Sequence, residues 1–188
     1  PGAINLRGRR KEARMEDLRD KSRAGENALE TLMRKIPGFS GYFDRERRRD
    51  TDKIQREFLA RRVGQLKTEM QGLQEEILSS GNLSLVELLD RVSNKMDRVI
   101  ERLRHASYGQ AGFFDVVKVN EAELDRLYEF DLSLVTGLSS AEEALMGLRS
   151  VLMAGGEDAA ARLADFRRRV EEMDASLDER ERILKGVG

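Results

Sequence analysis

Leu59, Val63, Leu66, Met70, Leu73 and Ile77 follow one another at spacings of 4, 3, 4, 3 and 4. Beyond a Ser-Ser-Gly-Asn break at 79–82, Leu85, Leu89, Val92, Met96, Val99 and Leu103 keep the same rhythm. Alternating steps of three and four lay apolar side chains along one stripe of a helix. Two such stripes on either side of a short turn predict an antiparallel hairpin with coiled-coil-like packing. Folding about residues 80–82 sets Leu59 opposite the Leu103 region, so residues 45–57 run past the end of the second helix.

The remaining apolar periods predict further helices. Met15, Leu18, Leu29, Leu32 and Ile36 mark one over about 12–36, weakened where Ser22 and Gly25 take apolar positions and ended by Pro37-Gly38. Asp44 is placed to cap a helix over 45–78. Ser84 with Glu87, and Asn120 with Glu123, read as capping boxes opening helices near 84 and 120, each with a hydrophobic staple (Leu83 and Leu88; Val119 and Leu124). Gly137 and Ser139-Ser140 are expected to interrupt the helix after 120, leaving a shorter one at 141–153. Beyond Gly155-Gly156 a last helix spans 158–185, with Leu163, Phe166, Val170, Met173, Leu177 and Leu184 in heptad register. Arg180 occupies the remaining core position, which predicts that this helix frays or projects at its end.

These elements predict an all-α chain: an antiparallel helical bundle of about five to six long, coiled-coil-like helices. Residues 1–11, Gly- and Arg-rich without an apolar period, read as a flexible basic arm. Residues 12–188 read as one helical domain, with its hairpin core at 45–104 and C-terminal helices at 120–185 that partly project.

Two loops share a form. Gly41-Tyr42-Phe43-Asp44 and Gly112-Phe113-Phe114-Asp115 each run Gly, aromatic, Phe, Asp between two helices. If the helices alternate in direction, both loops fall at one end of the bundle. The overhanging residues Arg47, Arg48, Arg49, Asp50, Asp52, Lys53 and Arg56 lie there too, with His105, Tyr108 and Asp115 nearby. Tyr42, Phe43, Arg47, Arg48, Arg49, Lys53, His105, Tyr108, Phe113, Phe114 and Asp115 are therefore the candidate interaction site. The plainer reading has Phe39, Phe43, Phe113 and Phe114 plugging the bundle end while the charges stay solvated. Asp131 is the sharpest anomaly, on or beside the apolar stripe of its helix. It either pairs with a Tyr or Arg inside the bundle, serves as a functional group, or sits at the stripe's boundary and reaches water, the plainest of the three.

The segments IPGFSGYFDRERRRDTDKIQRE (36–57) and ASYGQAGFFDVVKVNEAELDRLYEFD (106–131) resemble a family of uncharacterised bacterial all-helical proteins. The resemblance covers about a quarter of the chain. It implies a helical fold and brings no activity with it.

Charge adds an asymmetry. Residues 1–62 hold 18 Lys/Arg against 11 Asp/Glu, a net of +7, and residues 63–188 hold 16 against 24, a net of −8. Such polarity points to self-association or to a partner at the basic end. The chain has no cysteine, so disulfides, thiolate nucleophiles and Cys-based zinc sites are excluded. No run approaches the ~18 apolar residues of a membrane span, and none of signal-peptide kind follows Pro1, so a cytoplasmic location is the expectation.

Candidate chemistries are sparse. The one histidine, His105, ends a helix, where contact with the last carbonyls is the usual role. A set drawn through Ser107, His105 and Asp115 has nothing to fix its geometry. One histidine also excludes a Glu-x-x-His di-metal bundle, and no phosphate-binding glycine loop is present. No enzyme activity, metal or cofactor is predicted. The leading expectation is a non-enzymatic scaffold or adaptor that binds a partner protein or itself through heptad surfaces, the last helix pairing in trans as a homodimer. The alternative is an accessory nucleic-acid-binding protein using Arg7, Arg9, Arg10, Lys11, Arg14 and the Arg47–Arg49 run.

Overall fold

The computed structural model describes residues 20, 23–42, 44, 47–79, 83–105, 121–155 and 158–184. Among them every regular element is a helix: α1 (23–35), α2 (Arg48–Ser79), α3 (Leu83–His105), α4 (Glu121–Met153) and α5 (Ala159–Leu184).

The two heptad stripes close on each other as their spacing predicts. All six residues of each stripe are buried. Gln74 bonds Asp90, Lys67 bonds Asp97, and Arg56 reaches the Leu103 carbonyl, which sets α2 and α3 antiparallel in the expected register. A second hairpin, α4 with α5, lies against the first. Gly137 packs on Met173 and Asp131 pairs with Arg180, so these helices are also antiparallel. Bridges from Arg62 to Glu142 and Arg149 to Glu76 run α4 parallel to α2. Lys95 with Asp174 and Arg102 with Asp178 run α5 parallel to α3. One apolar core fills the space between the four helices, and Ala28, Leu32 and Ile36 join it at and just beyond α1.

Several expected boundaries shift. The first helical bond of α2 runs from the Thr51 amide to the Arg47 carbonyl, after a turn in which the Arg47 amide bonds the Asp44 carbonyl, so the helix opens at Arg48 and not at 45. Helix α3 opens at Leu83, which puts Ser84 inside its first turn. Only 23–35 of the helix expected over 12–36 is described. Gly25 is buried in α1 because that helix closes on α4 there: a Cβ on Gly25 would collide with the Asp125 side chain. The arm at 1–11 lies outside the described residues.

The largest correction concerns 121–153, one continuous helix with no break at Gly137 or Ser139-Ser140. Leu134, Val135, Leu138, Ala141, Leu145 and Leu148 are buried in unbroken helical period, and the burial of that stripe outweighs the ~1 kcal/mol helix penalty of one glycine. Ser139 keeps the helix by bonding back to the Val135 carbonyl. A true break comes at Gly155, whose φ of 66° suits glycine after a helix end. The expectation that α5 frays is also overturned, since Arg180 is 2% exposed and bonded on two sides.

Candidate functional site

The end of the bundle holding the N-termini of α2 and α4 and the C-termini of α3 and α5 carries a buried chain of charges. Phe39 and Tyr42, in the segment between α1 and α2, turn into the core and meet edge to face at 5.5 Å. Tyr42 also stacks on Tyr128 of α4 with ring centroids 5.4 Å apart, and its amide donates to the Tyr128 hydroxyl at 2.7 Å. The Tyr42 hydroxyl donates to Asp131 at 2.5 Å. On the other carboxylate oxygen Asp131 accepts Arg180 Nε at 2.8 Å, and Arg180 Nη2 continues to Asp52 at 2.6 Å. Asp52 also accepts Arg56 Nε at 2.8 Å, and Arg56 Nη1 ends the chain on the Leu103 carbonyl at 2.9 Å. That carbonyl lies in the last turn of α3, where backbone acceptors lack helical partners and cations are favoured. The relay thus joins the 36–47 segment to all four long helices.

Burial and charge explain the titration behaviour. Burial, reinforced by Asp131, raises the Tyr42 phenol well above its usual range, and burial pushes Tyr128 up to about 12. Burial also raises Asp131, against the pull of Arg180 and the Tyr42 hydrogen bond. Burial opposes the charge on Arg180, yet Asp131 and Asp52 on either side raise its pKa well above normal. Both oxygens of Asp131 are occupied by Tyr42 and Arg180, and Asp131 is 0% exposed. Asp131 is thus enclosed between the helices that it joins. Beside it Gln55 is fully buried, its amide without a hydrogen-bond partner among the described residues, next to a cavity of about 10 Å³ bordered by Leu134 and Leu177.

The predicted site residues therefore divide. Tyr42 is a core member of the relay, and Arg48 is buried with its Nε on the Tyr42 carbonyl at 2.6 Å. A guanidinium at the first turn of α2 thus reaches back to a buried acceptor, so neither residue is available as a surface contact. Asp52 and Arg56 are likewise buried rather than solvated, while Arg47, Arg49, Asp50 and Lys53 are exposed. His105 is exposed and pairs with Glu101 at 3.1 Å, where contact with the last carbonyls was expected. Asp131 does not reach water at a boundary. It lies between Tyr42 and Arg180. Phe43, Ser107, Tyr108, Phe113, Phe114, Asp115, Arg7, Arg9, Arg10, Lys11 and Arg14 lie outside the described residues. Arg180 was read as a weak end, yet it and Asp131 are opposite charges at apolar positions facing each other across the α4–α5 hairpin.

A second feature has no counterpart in the expected site. Arg91, Lys95, Arg98 and Arg102 form one basic stripe on α3 facing α5. Toward the relay end the stripe is met: Arg102 binds Asp174, Asp178 and Glu181, and Lys95 binds Asp174 at 2.7 Å. Burial acts to raise the Asp174 pKa, but the hydrogen bonds from Lys95 and Arg102 hold it below the usual value. Toward the other end α5 presents Arg167, Val170 and Glu171, and Glu171 is already beside Arg167 at 3.6 Å. A groove of about 590 Å³ lies there, bordered by Arg91, Lys95, Arg98 and Arg167 with Val92 and Val170 among its lining. Arg91 and Arg98 make no hydrogen bond or ion pair with any described residue.

Among the described residues no group of His, Cys, Asp and Glu is placed to hold a metal ion, and no helix is long and apolar enough to cross a membrane. No protein-family model matches the sequence, and neither a curated protein nor a solved structure is significantly similar to it.

Proposed function

We propose that this protein is a non-enzymatic helical adaptor that receives a partner protein in the groove between α3 and α5, and that it acts in the cytoplasm, as its cysteine-free sequence suggests. The observation that carries the reading is the pair of arginines, Arg91 and Arg98, that meet no acidic partner among the described residues, on a groove of about 590 Å³. The heptad stripes first considered as docking seams are used within the chain: Leu163, Phe166, Val170, Met173 and Leu177 of α5 are all buried. Recognition is therefore assigned to the groove and not to a trans-paired α5. A photo-crosslinking amino acid at Asn94, in the groove, should give discrete protein adducts in native lysate. The same group at Glu75, exposed on α2, should not. Equal labelling at both positions, or none at Asn94, defeats the reading.

Nucleic acid is the second reading, favoured by the four cations bordering the groove. Contacts to phosphate release counterions, so such binding would weaken steeply with salt. A filter-binding assay that retains no DNA at low ionic strength ends it.

A further inference from the structure

We infer that the occupant of the α3–α5 groove is an acidic amphipathic helix, with carboxylates spaced four and seven residues apart along one face. The inference rests on the adaptor reading and specifies its partner. The template is within the molecule. The stripe on α3 already accepts one such helix, because Asp174, Asp178 and Glu181 of α5 stand at i, i+4 and i+7 and meet Lys95 and Arg102. Two turns back along α3 the matching positions of α5 no longer supply free carboxylates. Arg167 stands there instead, with Glu171 beside it.

Complementarity between the two helices thus ends at Lys95, on the border of the groove. Arg91 and Arg98 are seven residues apart, about 10 Å along the helix axis. Carboxylates at i and i+7 of a helix lying along α3 have that same rise. Val92 and Val170 lie buried beneath the groove, so the apolar surface it offers comes from the aliphatic stems of the surrounding Arg and Lys side chains. A phosphate backbone would meet the arginines but would leave those stems uncovered and the nearby Glu171 unmatched.

The test uses the full chain and a fluorescent synthetic amphipathic helix carrying Glu at i, i+4 and i+7, with Leu on the flank. Its Glu→Gln and Glu→Lys twins and a DNA duplex are measured alongside by anisotropy at the same low ionic strength. The Glu helix should bind and the Gln twin should bind at least about tenfold more weakly. Arg91→Glu with Arg98→Glu should weaken the Glu helix by a similar factor and create binding of the Lys twin. Arg34→Glu with Arg61→Glu, an equal charge change at exposed sites elsewhere, should do neither. Both double variants alter exposed residues, and retained helical circular dichroism confirms their folding.

Absent binding of the Glu helix, or equal weakening by the two double variants, overturns the inference. Tighter binding of the duplex, lost in the Arg91/Arg98 variant, overturns it in favour of phosphate. If the Glu helix fails while Asn94 still crosslinks specifically to a protein, the acidic-helix inference falls and the adaptor reading stands. If both fail, both fall.

Discussion

Replacing Arg180 with methionine tests the relay at its centre. The substitution keeps an unbranched apolar stem of similar reach and removes the cation between Asp131 and Asp52. Two charge-assisted bonds are lost, at 2.8 and 2.6 Å. Asp131 keeps the Tyr42 hydroxyl and Asp52 keeps Arg56, but neither neutral phenol nor shared guanidinium replaces the charge between them. Removing one member of a buried ion pair costs ~3–5 kcal/mol, because the partner stays desolvated without compensation. At ~2–4 °C per kcal/mol for a chain of this size, the melting temperature should fall by roughly 6–20 °C. Urea unfolding followed by helical circular dichroism gives the same quantity from the midpoint at unchanged slope. Adding Asp131→Leu to Arg180→Met should cost much less than the sum of the two single changes, since the second removes the charge that the first stranded. A loss below ~0.5 kcal/mol for Arg180→Met would refute the reasoning and mean that the end of α5 stands away from the bundle.

Three further outcomes follow from the same geometry. Arg48→Ala should destabilise by ~1.5–3 kcal/mol through its bond to the Tyr42 carbonyl, while Arg47→Ala, exposed with only a 3.5 Å pair to Asp44, should change stability by ~1 kcal/mol or less; parallel urea titrations compare them. Both buried phenols have raised folded-state pKa values, so their contribution is intact below the unfolded value of ~10 and is lost as pH rises through the folded values. In a Tyr108→Phe background, tyrosinate absorbance should therefore appear only well above pH ~10 and together with loss of helix. Gly25→Ala should lower the melting temperature, because the new methyl group meets the Asp125 side chain at its near end, whereas Gly137→Ala meets only a flexible methionine at 3.2 Å and should be neutral or slightly stabilising.

What the sequence by itself determined is the helical architecture and the pairing of its first hairpin. Those depend on period, and a stripe of apolar side chains every 3.5 residues has one way to leave water. Every residue the 3–4 rhythm names on α2 and α3 is buried, in the register that puts Arg56 against the end of α3, although Asp52, Gln55 and Arg56 are buried as well. Tertiary structure alone decided where the local signals conflict. Gly137 and the serines after it read as a break, but the stripe continues through them and its burial holds α4 in one piece. Asp131 read as an anomaly with pairing to a Tyr or Arg, a functional role and a boundary position all open, and Arg180 as a weak end, because one charge on an apolar stripe is costly wherever it is considered alone. Brought together across the α4–α5 hairpin, with Asp52 and Tyr42 from elsewhere in the chain, they satisfy one another. The groove was legible in part: the basic stripe of α3 can be read from its spacing, but whether each arginine meets a carboxylate depends on how far α5 slides along α3. That offset is set by core packing between helices distant in sequence, and no local pattern encodes it.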